Sequence, residues 1–397
     1  MLTRISSVTA LGINGVRTFY GKTIPDHTLK FVQVFHRHGD RTPLHNYLQG
    51  SPQEKDEIQM WKQLLPSKTE SAIYDLYRHE DTKPNEPCDP VFGQLTKEGV
   101  KEMKDVGNQL RQFYFKEEPL LTDDSFNVDE VSLRSTCRDR TLHSLQSLLS
   151  TLFPITEFKD SNPIIKMATD DACVLNKFDS KCRAAVDMRL QSYDWVEYLD
   201  RMKEDCYPIV AKALPYFSDP DRIKWTDVMD YVVTRYSHLL DMDEGIYTIF
   251  PKIYNHNVNK FRIIYNTPKC LHCFTDDLFA MIKREADSVM SEKLSTKLSI
   301  YSCHDTSVMP MLNVLTPLTP WEIPPYASNI CLEYWQNQFD NSIDVAMRYN
   351  GEYQTIYIEH FAGSIIVKYE DFCKTLTLPK YLTDVMRDKN RVDLPES

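Results

Sequence analysis

The sequence lacks any apolar stretch that approaches the roughly 18 uninterrupted residues needed for a membrane-spanning helix. It also lacks a secretory leader pattern, because the apolar stretch from Val8 to Ile13 is too short and too interrupted. No Asn-x-Ser/Thr glycosylation acceptor with a non-proline middle residue occurs. We therefore expect no integral membrane span, and an intracellular location rather than a secreted or lysosomal one.

Glycine is scarce, at 11 of 397 residues, and no Gly/Ser-rich linker or internal repeat divides the chain. A freely swinging second domain is therefore not expected. A basic excess is lacking as well, since 46 Lys and Arg stand against 57 Asp and Glu, a net charge of -11. The resulting field repels polyanions, so we expect no nucleic-acid partner, although a local cationic pocket is compatible with it.

Residues 1–25 contain no acidic side chain, and they include Arg4, Arg17 and several Ser and Thr. This composition is typical of a mitochondrial transit peptide. Gly12 and Gly15 weaken the amphipathic helix that such a peptide needs, so an ordinary terminal extension is the alternative. We expect residues 1–25 to be an N-terminal extension or a targeting segment, with the mitochondrion as the candidate compartment.

Three short apolar segments each run into polar residues, which predicts buried strands whose carboxyl ends carry functional groups. They are Leu29 to Phe35, Val128 to Leu133 and Leu298 to Cys303. The first precedes an arginine- and histidine-rich stretch, the second precedes Arg134, and the third precedes a His-Asp pair. Open α/β sheets bind ligands at this edge, so we expect these polar groups to meet there.

Helical patterns follow two of these segments. From Thr96 to Phe113 apolar residues recur at helical spacing, with Thr96 as the expected N-cap. A second helix is predicted from Thr136, which is spaced from Asp139 as in a capping box, until Pro154 stops it. The alternation of strands and helices predicts an α/β fold with a central, mostly parallel sheet flanked by helices.

Residues 155–290 differ from the rest, because acidic and aromatic helix-like segments dominate them. Examples are Asp194 to Cys206 and Trp225 to Leu240. We interpret residues 155–290 as a smaller, mainly helical cap inserted into an α/β core formed by residues 26–154 and 291–397.

The segment from Arg37 to Pro43 places two arginines, Arg37 and Arg41, around His38. This arrangement is electrostatically costly without an anion, and phosphate matches the planar donor fork of arginine. The positive neighbours also disfavour imidazolium, which keeps His38 neutral and nucleophilic. Gly39 permits a close approach of the backbone to a ligand.

The pattern Arg-His-Gly-x-Arg-x-Pro at 37–43, followed much later by a strand and His304-Asp305, resembles the signature of the histidine acid phosphatases. These form the second branch of the histidine phosphatase superfamily. Further stretches are similar to the same family: Gly93 to Gly99, Leu133 to Leu142 and Pro324 to Ser328. The similar blocks therefore run in order from about residue 29 to residue 335, with no match in the middle segment.

The resemblance implies that His38 attacks phosphorus, that Asp305 protonates the leaving alcohol, and that water then cleaves the phosphohistidine. It assigns the phosphoryl oxygens to four further side chains: Arg37, Arg41, Arg134 and His304. These roles agree with general chemistry, because cationic positioning and protonation of the leaving alkoxide provide most of the catalysis of phosphoryl transfer. No metal or other cofactor is implied.

Three alternative functions share parts of this pattern. The first is a mutase-type phosphoryl transferase. In that family the proton donor resembles a glutamate, whereas this chain has Asp305. A catalytically silent phospholigand-binding module would be expected to lose His38 or Asp305, and both are present. Phytases commonly carry the pattern His-Asp-Thr-Asn, whereas this chain has Ser307 at the last of these four positions.

We therefore expect an acid phosphatase that hydrolyses small-molecule or lipid phosphomonoesters. The blocks resemble the prostatic and lysosomal type and the lysophosphatidic-acid phosphatase type equally, which makes lysophosphatidic acid a candidate substrate. The oligomeric state is left open.

Three further features have no expected catalytic or metal-binding role. Cys270 and Cys273 form a C-x-x-C half-site, but no second half-site follows, so we expect no zinc. His36 precedes the motif and is expected on the other face of the strand. Asp40 occupies the variable position of the motif, and we expect it to balance local charge or to cap a turn.

Overall fold

The computed structural model describes residues 23–80, 89–121, 126–154, 163–168, 174–175, 180–191, 193–221, 223–265, 268–317, 322–358 and 361–377. The strands in this part of the chain are β1 (His27–Arg37), β2 (Arg78–His79), β3 (Val131–Thr136), β4 (Ile164–Ala168), β5 (Leu298–Cys303), β6 (Asn329–Asn337), β7 (Ile343–Tyr349), β8 (Glu352–Gln354), β9 (Ile356–Ile358), β10 (Phe361–Ser364) and β11 (Ile366–Lys368). The helices are α1 (Glu54–Leu64), α2 (Lys68–Ser71), α3 (Lys97–Arg111), α4 (Asp139–Leu152), α5 (Ser180–Leu190), α6 (Tyr193–Ala213), α7 (Trp225–Ser237), α8 (Glu244–Tyr265), α9 (Pro268–Met290), α10 (Asp305–Leu315) and α11 (Tyr369–Leu376).

A mixed sheet forms the centre of the protein, in the order β11-β7-β6-β1-β5-β3-β4-β2, with β8 paired to β7. The strands β1, β5, β3, β4 and β2 pair in parallel, whereas β6 joins β1 in the antiparallel sense. The predicted α/β fold with a central, mostly parallel sheet is confirmed. In the parallel part the register sets Arg37 beside Cys303, the last residues of β1 and β5, so these two strands end at one edge. Arg134 pairs with Tyr301 and lies inside β3.

The two faces of the sheet are covered by different helices, because side chains alternate along β1. Val32 and Val34 face a core that α3 and α4 complete. Phe31 and Phe35 face the opposite core, which α9, α10 and α11 complete. All four side chains are fully buried, so β1 is held on both sides and its carboxyl end is a rigid support.

A third core lies among α6, α7 and α8. It contains Met202, Val228 and Ile253, one from each helix, and the segment after β1 contributes Tyr47. Apolar packing therefore holds these helices against the segment that follows Arg37 to Pro43.

The predicted cap, residues 155–290, includes elements of both parts of the protein. Helices α6 to α8 build the third core, but β4 belongs to the central sheet and α9 packs against it through Phe279 and Ile282. The division at residues 155 and 290 stays a prediction, and we propose that α9 belongs with the α/β core.

The helix start at Thr96 is confirmed, since its side chain accepts a hydrogen bond from the Gly99 amide, 3.1 Å away. The start predicted at Thr136 was wrong. Strand β3 runs on to Thr136, which pairs with Ala168 of β4, and the N-cap of α4 is Arg138. Pairing with a neighbouring strand, which a local pattern does not reveal, holds Thr136 extended.

Candidate active site

His38 lies directly after β1, where hydrogen bonds hold its backbone on both sides. The His38 amide donates to the Cys303 carbonyl, 3.1 Å away, and the His38 carbonyl accepts from the Ala327 amide, also at 3.1 Å. The ring Nδ1 lies 2.8 Å from the Gly39 carbonyl oxygen, which can only accept, so Nδ1 carries the proton. The lone pair of a neutral His38 is therefore on Nε2, the atom that a nucleophile would use.

Burial is the first reason that the pKa of His38 lies well below its ordinary value of 6.5. The guanidinium groups of Arg140, Arg37 and Arg41 lower this pKa further, because they repel an imidazolium. His38 consequently stays neutral in acid solution, as the sequence predicted from its cationic neighbours.

Gly39 allows the motif to approach the start of α3. A Cβ added at Gly39 would lie 2.5 Å from the Gly99 carbonyl oxygen, much closer than side-chain carbons approach backbone. The Gly39 amide is held by the Ser144 hydroxyl of α4 at 3.0 Å. The glycine therefore serves backbone packing between the motif, α3 and α4.

Arg37 and Asp305 contact each other. Nη2 of Arg37 lies 3.0 Å from Oδ2 of Asp305, and Nη1 donates to the Pro324 carbonyl at 2.6 Å. The guanidinium also lies over the Tyr326 ring, 4.3 Å from its centroid. Asp305 is the first residue of α10, and its carboxylate, 26% exposed, accepts from the Thr306 amide at 2.8 Å. The structure thus brings both residues to the carboxyl ends of β1 and β5.

Arg41 is paired with a carboxylate from α7 that the sequence did not reveal. Its Nη2 lies 2.7 Å from Oδ1 of Asp230, and its Nη1 donates to the Thr42 carbonyl at 3.0 Å. Although burial opposes it, the Asp230 carboxylate raises the pKa of Arg41. Oδ2 of Asp230 accepts from the Leu44 amide and from the Tyr47 hydroxyl, at 2.7 and 2.9 Å.

Arg134 is not among the described residues that line the cavity holding His38, so its assignment as a phosphate ligand stays a prediction. Arg134 lies inside β3, and its Nη1 is directed to the sulfur of Met281 on α9, 3.4 Å away. Arg140, in the first turn of α4, lies beside His38 instead, and its Nε has no hydrogen-bond partner among the described residues. Burial, followed by repulsion from Arg41, lowers the pKa of Arg140 to about 9, so it stays charged in acid solution.

His304 is the N-cap of α10, and its ring meets that of His38 edge to face, with centroids 5.6 Å apart. Its Nε2 lies 2.9 Å from the Thr136 hydroxyl. Burial, followed by repulsion from Arg140, puts the pKa of His304 well below its ordinary value. Both histidines are therefore neutral groups in a cationic setting.

Asp40 joins three parts of the protein behind His38. Its buried carboxylate accepts from the Thr96 hydroxyl, from the Ser237 hydroxyl at 2.7 Å and from Nε2 of His238 at 2.7 Å. Its amide donates to Glu102 at 2.7 Å. Burial, and then repulsion from Asp40, raises the pKa of Glu102 to about 8. Asp40 thus links the motif to α3 and to the end of α7.

A cavity of about 330 Å³ opens beside His38. The catalytic edge supplies Arg37, His38, Arg41, Arg140, His304 and Asp305. The remaining wall, called here the leaving-group wall, consists of Leu44, Thr226, Asp227, Met229, Asp230, Val233, Tyr254, Phe261, Thr306, Ile323, Pro324, Pro325 and Tyr326. The cavity therefore has a cationic floor and a largely apolar wall.

Other residues singled out in the sequence lie elsewhere. His36 is fully buried, and burial lowers its pKa to about 4. Cys270 and Cys273 lie on α9, and no group of three or more potential metal ligands occurs in the described part of the chain. Likewise, none of its helices has the length and apolar character needed to cross a membrane.

The sequence matches the model of the histidine phosphatase superfamily (branch 2) over residues 28–267. The chain belongs to that family. Among curated proteins, counting factor 60 of Dictyostelium discoideum is 26% identical over 383 residues, which cover 88% of this chain and 89% of that protein. Human lysophosphatidic acid phosphatase type 6 is 26% identical over 348 residues, covering 82% and 78%. Human lysosomal acid phosphatase is 25% identical over 338 residues, covering 81% and 71%.

Solved structures show the same fold. The Hafnia alvei phytase in complex with myo-inositol hexakis sulphate aligns with a TM-score of 0.57 at 14% identity, covering 89% of this chain and 98% of that one. The Citrobacter braakii phytase aligns with a TM-score of 0.55 at 14% identity, covering 88% and 97%. This chain is accordingly a phosphomonoesterase of the histidine acid phosphatase type.

Proposed function

We propose that this histidine phosphatase hydrolyses monoesters in two steps through a phosphorylated His38. Nε2 of His38 attacks phosphorus while the bond to the alcohol oxygen breaks, and Asp305 gives that oxygen a proton. Asp305, now ionised, then takes a proton from the water that attacks phosphohistidine, which releases inorganic phosphate and restores both groups. The observation that carries this proposal is one cavity holding a neutral His38, its free Nε2 and Asp305.

The phosphoryl oxygens are assigned to Arg37, Arg41, Arg140 and His304. Fixed cations at these oxygens stabilise the transferring group without needing to reorganise. The Nε atoms of all three arginines are buried and lack a hydrogen-bond partner among the described residues, so donors remain for a ligand. Arg140 takes the place that the sequence analysis gave to Arg134.

We further propose a lipid phosphate of the lysophosphatidic-acid class as the substrate. The leaving-group wall supports this, because Met229, Val233 and Phe261 offer apolar surface beyond the phosphate site. Burial of an acyl chain against such surface contributes about 25 cal/mol per Å². The names of the type 6 relatives support the same class. Mitochondrial location stays a separate proposal, since residues 1–22 lie outside the described residues.

An acyl-length series tests the substrate class. We expect kcat/KM to rise at least about tenfold from glycerol 3-phosphate to a long-chain lysophosphatidic acid, because added methylenes bury apolar area. Phe261→Ala should reduce that rise, whereas Phe339→Ala, at a position 81% exposed in the turn between β6 and β7, should not. Equal kcat/KM values across the series would contradict the lipid assignment and leave phosphatase activity itself intact.

A further inference from the structure

The charges of the cavity are divided between two regions. The catalytic edge contributes Arg37, Arg41 and Arg140. The leaving-group wall contributes no lysine, arginine or histidine among the described residues, but it does contribute two carboxylates, Asp227 and Asp230. In the proposed mechanism, an alcohol that extends from the ester phosphate along the leaving-group wall lies near these two carboxylates.

Asp230 has a structural partner for its charge. Its carboxylate pairs with Arg41 and also accepts from Leu44 and Tyr47, which fixes it and offsets part of the negative field. A substitution at Asp230 would therefore disturb Arg41 as well as the charge of the wall.

Asp227 lies one turn before Asp230 on α7. It also lines the leaving-group wall, but unlike Asp230 it does not pair with Arg41. It is half-buried at the cavity, and burial is the first cause that raises its pKa. His45, Lys224 and Lys260 lower that pKa in part, and none of these three is among the described residues lining the cavity. Asp227 is therefore the charged group that this part of the wall directs to the cavity, and the three cations behind it offset part of its charge.

We propose that Asp227 is a specificity-determining residue that rejects alcohols carrying a second phosphate. The inference rests on the proposed function, in which the ester phosphate lies on His38 and the alcohol lies against α7. A second phosphate adds about 1.5 to 2 negative charges at neutral pH and needs cationic or amide donors. The leaving-group wall offers it a carboxylate instead, and like charges in a partly desolvated site repel strongly. The substrate class is therefore a compound with a single phosphate and an otherwise neutral body.

The test compares two substrates that differ only at the far end, fructose 6-phosphate and fructose 1,6-bisphosphate, with release of phosphate from carbon 6 followed in both. The parent enzyme should have the higher kcat/KM on the monophosphate. Asp227→Asn should shrink this ratio about tenfold or more, mainly through the bisphosphate, and Asp227→Glu should keep it. The effect of Asp227→Asn should weaken at high ionic strength, because salt screens the repulsion.

Asp205→Asn is the matched control. Asp205 lies on α6, is 57% exposed and pairs with Lys252. Its replacement removes the same unit of charge at a position that does not line the cavity. An unchanged substrate ratio in Asp227→Asn, or an equal change in Asp205→Asn, overturns the specificity proposal. Absence of a phosphorylated His38 in an enzyme that still discriminates would instead overturn the proposed mechanism, so the two failures are distinguishable.

Discussion

The carboxylate of Asp305 lies 3.0 Å from the guanidinium of Arg37, so the proposed proton donor and a proposed phosphate ligand are in contact in the free enzyme. A phosphate that binds Arg37 competes with this carboxylate. In the proposed first step, this exchange at Arg37 would leave Asp305 free to face the oxygen of the leaving alcohol.

Asp305→Asn should separate the two halves of the reaction. With an alkyl phosphate we expect kcat/KM to fall by roughly two to four orders of magnitude, the usual contribution of a positioned general acid. With nitrophenyl phosphate the leaving group needs little protonation, so transfer to His38 should fall less and phosphoenzyme should accumulate. Rapid-quench kinetics on both substrates measure this. Equal losses without accumulation would make Asp305 a positioning group.

Arg140→Ala and Arg134→Ala distinguish the two candidate phosphate ligands. Loss of Arg140 should lower kcat/KM about tenfold to a hundredfold, because hydrogen bonds to charged groups contribute about 1.5 to 3 kcal/mol. Loss of Arg134 should change kcat/KM less than about threefold, since its contacts are with Met281 and Tyr301. A larger effect at Arg134 would restore the assignment made from the sequence.

His238→Ala should lower kcat with little change in KM, because His238 holds Asp40 and Asp40 holds the segment next to His38. We expect a fall of about tenfold, and partial recovery in His238→Gln, whose amide can donate to the same carboxylate. Steady-state kinetics with thermal unfolding as a control measure both. A loss of stability with unchanged kcat would reduce the contact to a structural one.

Glu102→Gln should change how stability depends on pH. The half-buried native carboxyl keeps its proton up to a pKa of about 8, whereas the unfolded chain loses it near 4.5. Stability from this group is thus present below pH 4.5 and is lost as pH rises toward 8, with a ceiling of about 5 kcal/mol. The variant should unfold at a higher temperature than the parent at pH 8 but not at pH 4.5. Glu197→Gln, at an exposed position on α6, should show no such difference.

The sequence predicted the strands that carry His38 and Asp305 because both are short apolar segments buried on two sides. It pointed to Arg134 as the third arginine, whereas we propose Arg140, because β3 continues past Leu133 to Thr136 and Arg140 lies in the first turn of α4. The Asp-Arg-Thr stretch at 139–141 was a usable signal, since a cation at a helix start beside a strand end faces the same edge.

The partners from α7 were beyond sequence reasoning. Asp230 meets Arg41 across 189 positions of the chain, and His238 meets Asp40 across 198, where no local periodicity connects them. Such contacts are set by the packing of the third core onto Tyr47, which depends on the whole tertiary structure.

The central claim is that the phosphoryl group passes through His38, and trapping of the phosphoenzyme tests it most directly. Asp305→Asn is incubated briefly with nitrophenyl phosphate labelled in phosphorus, denatured under alkaline conditions that preserve phosphohistidine, and digested for peptide mapping. We expect acid-labile label on the peptide containing His38, and none when His38→Ala is added to the same variant. Label on another residue, or turnover by His38→Ala at a rate comparable to the parent, would contradict the mechanism.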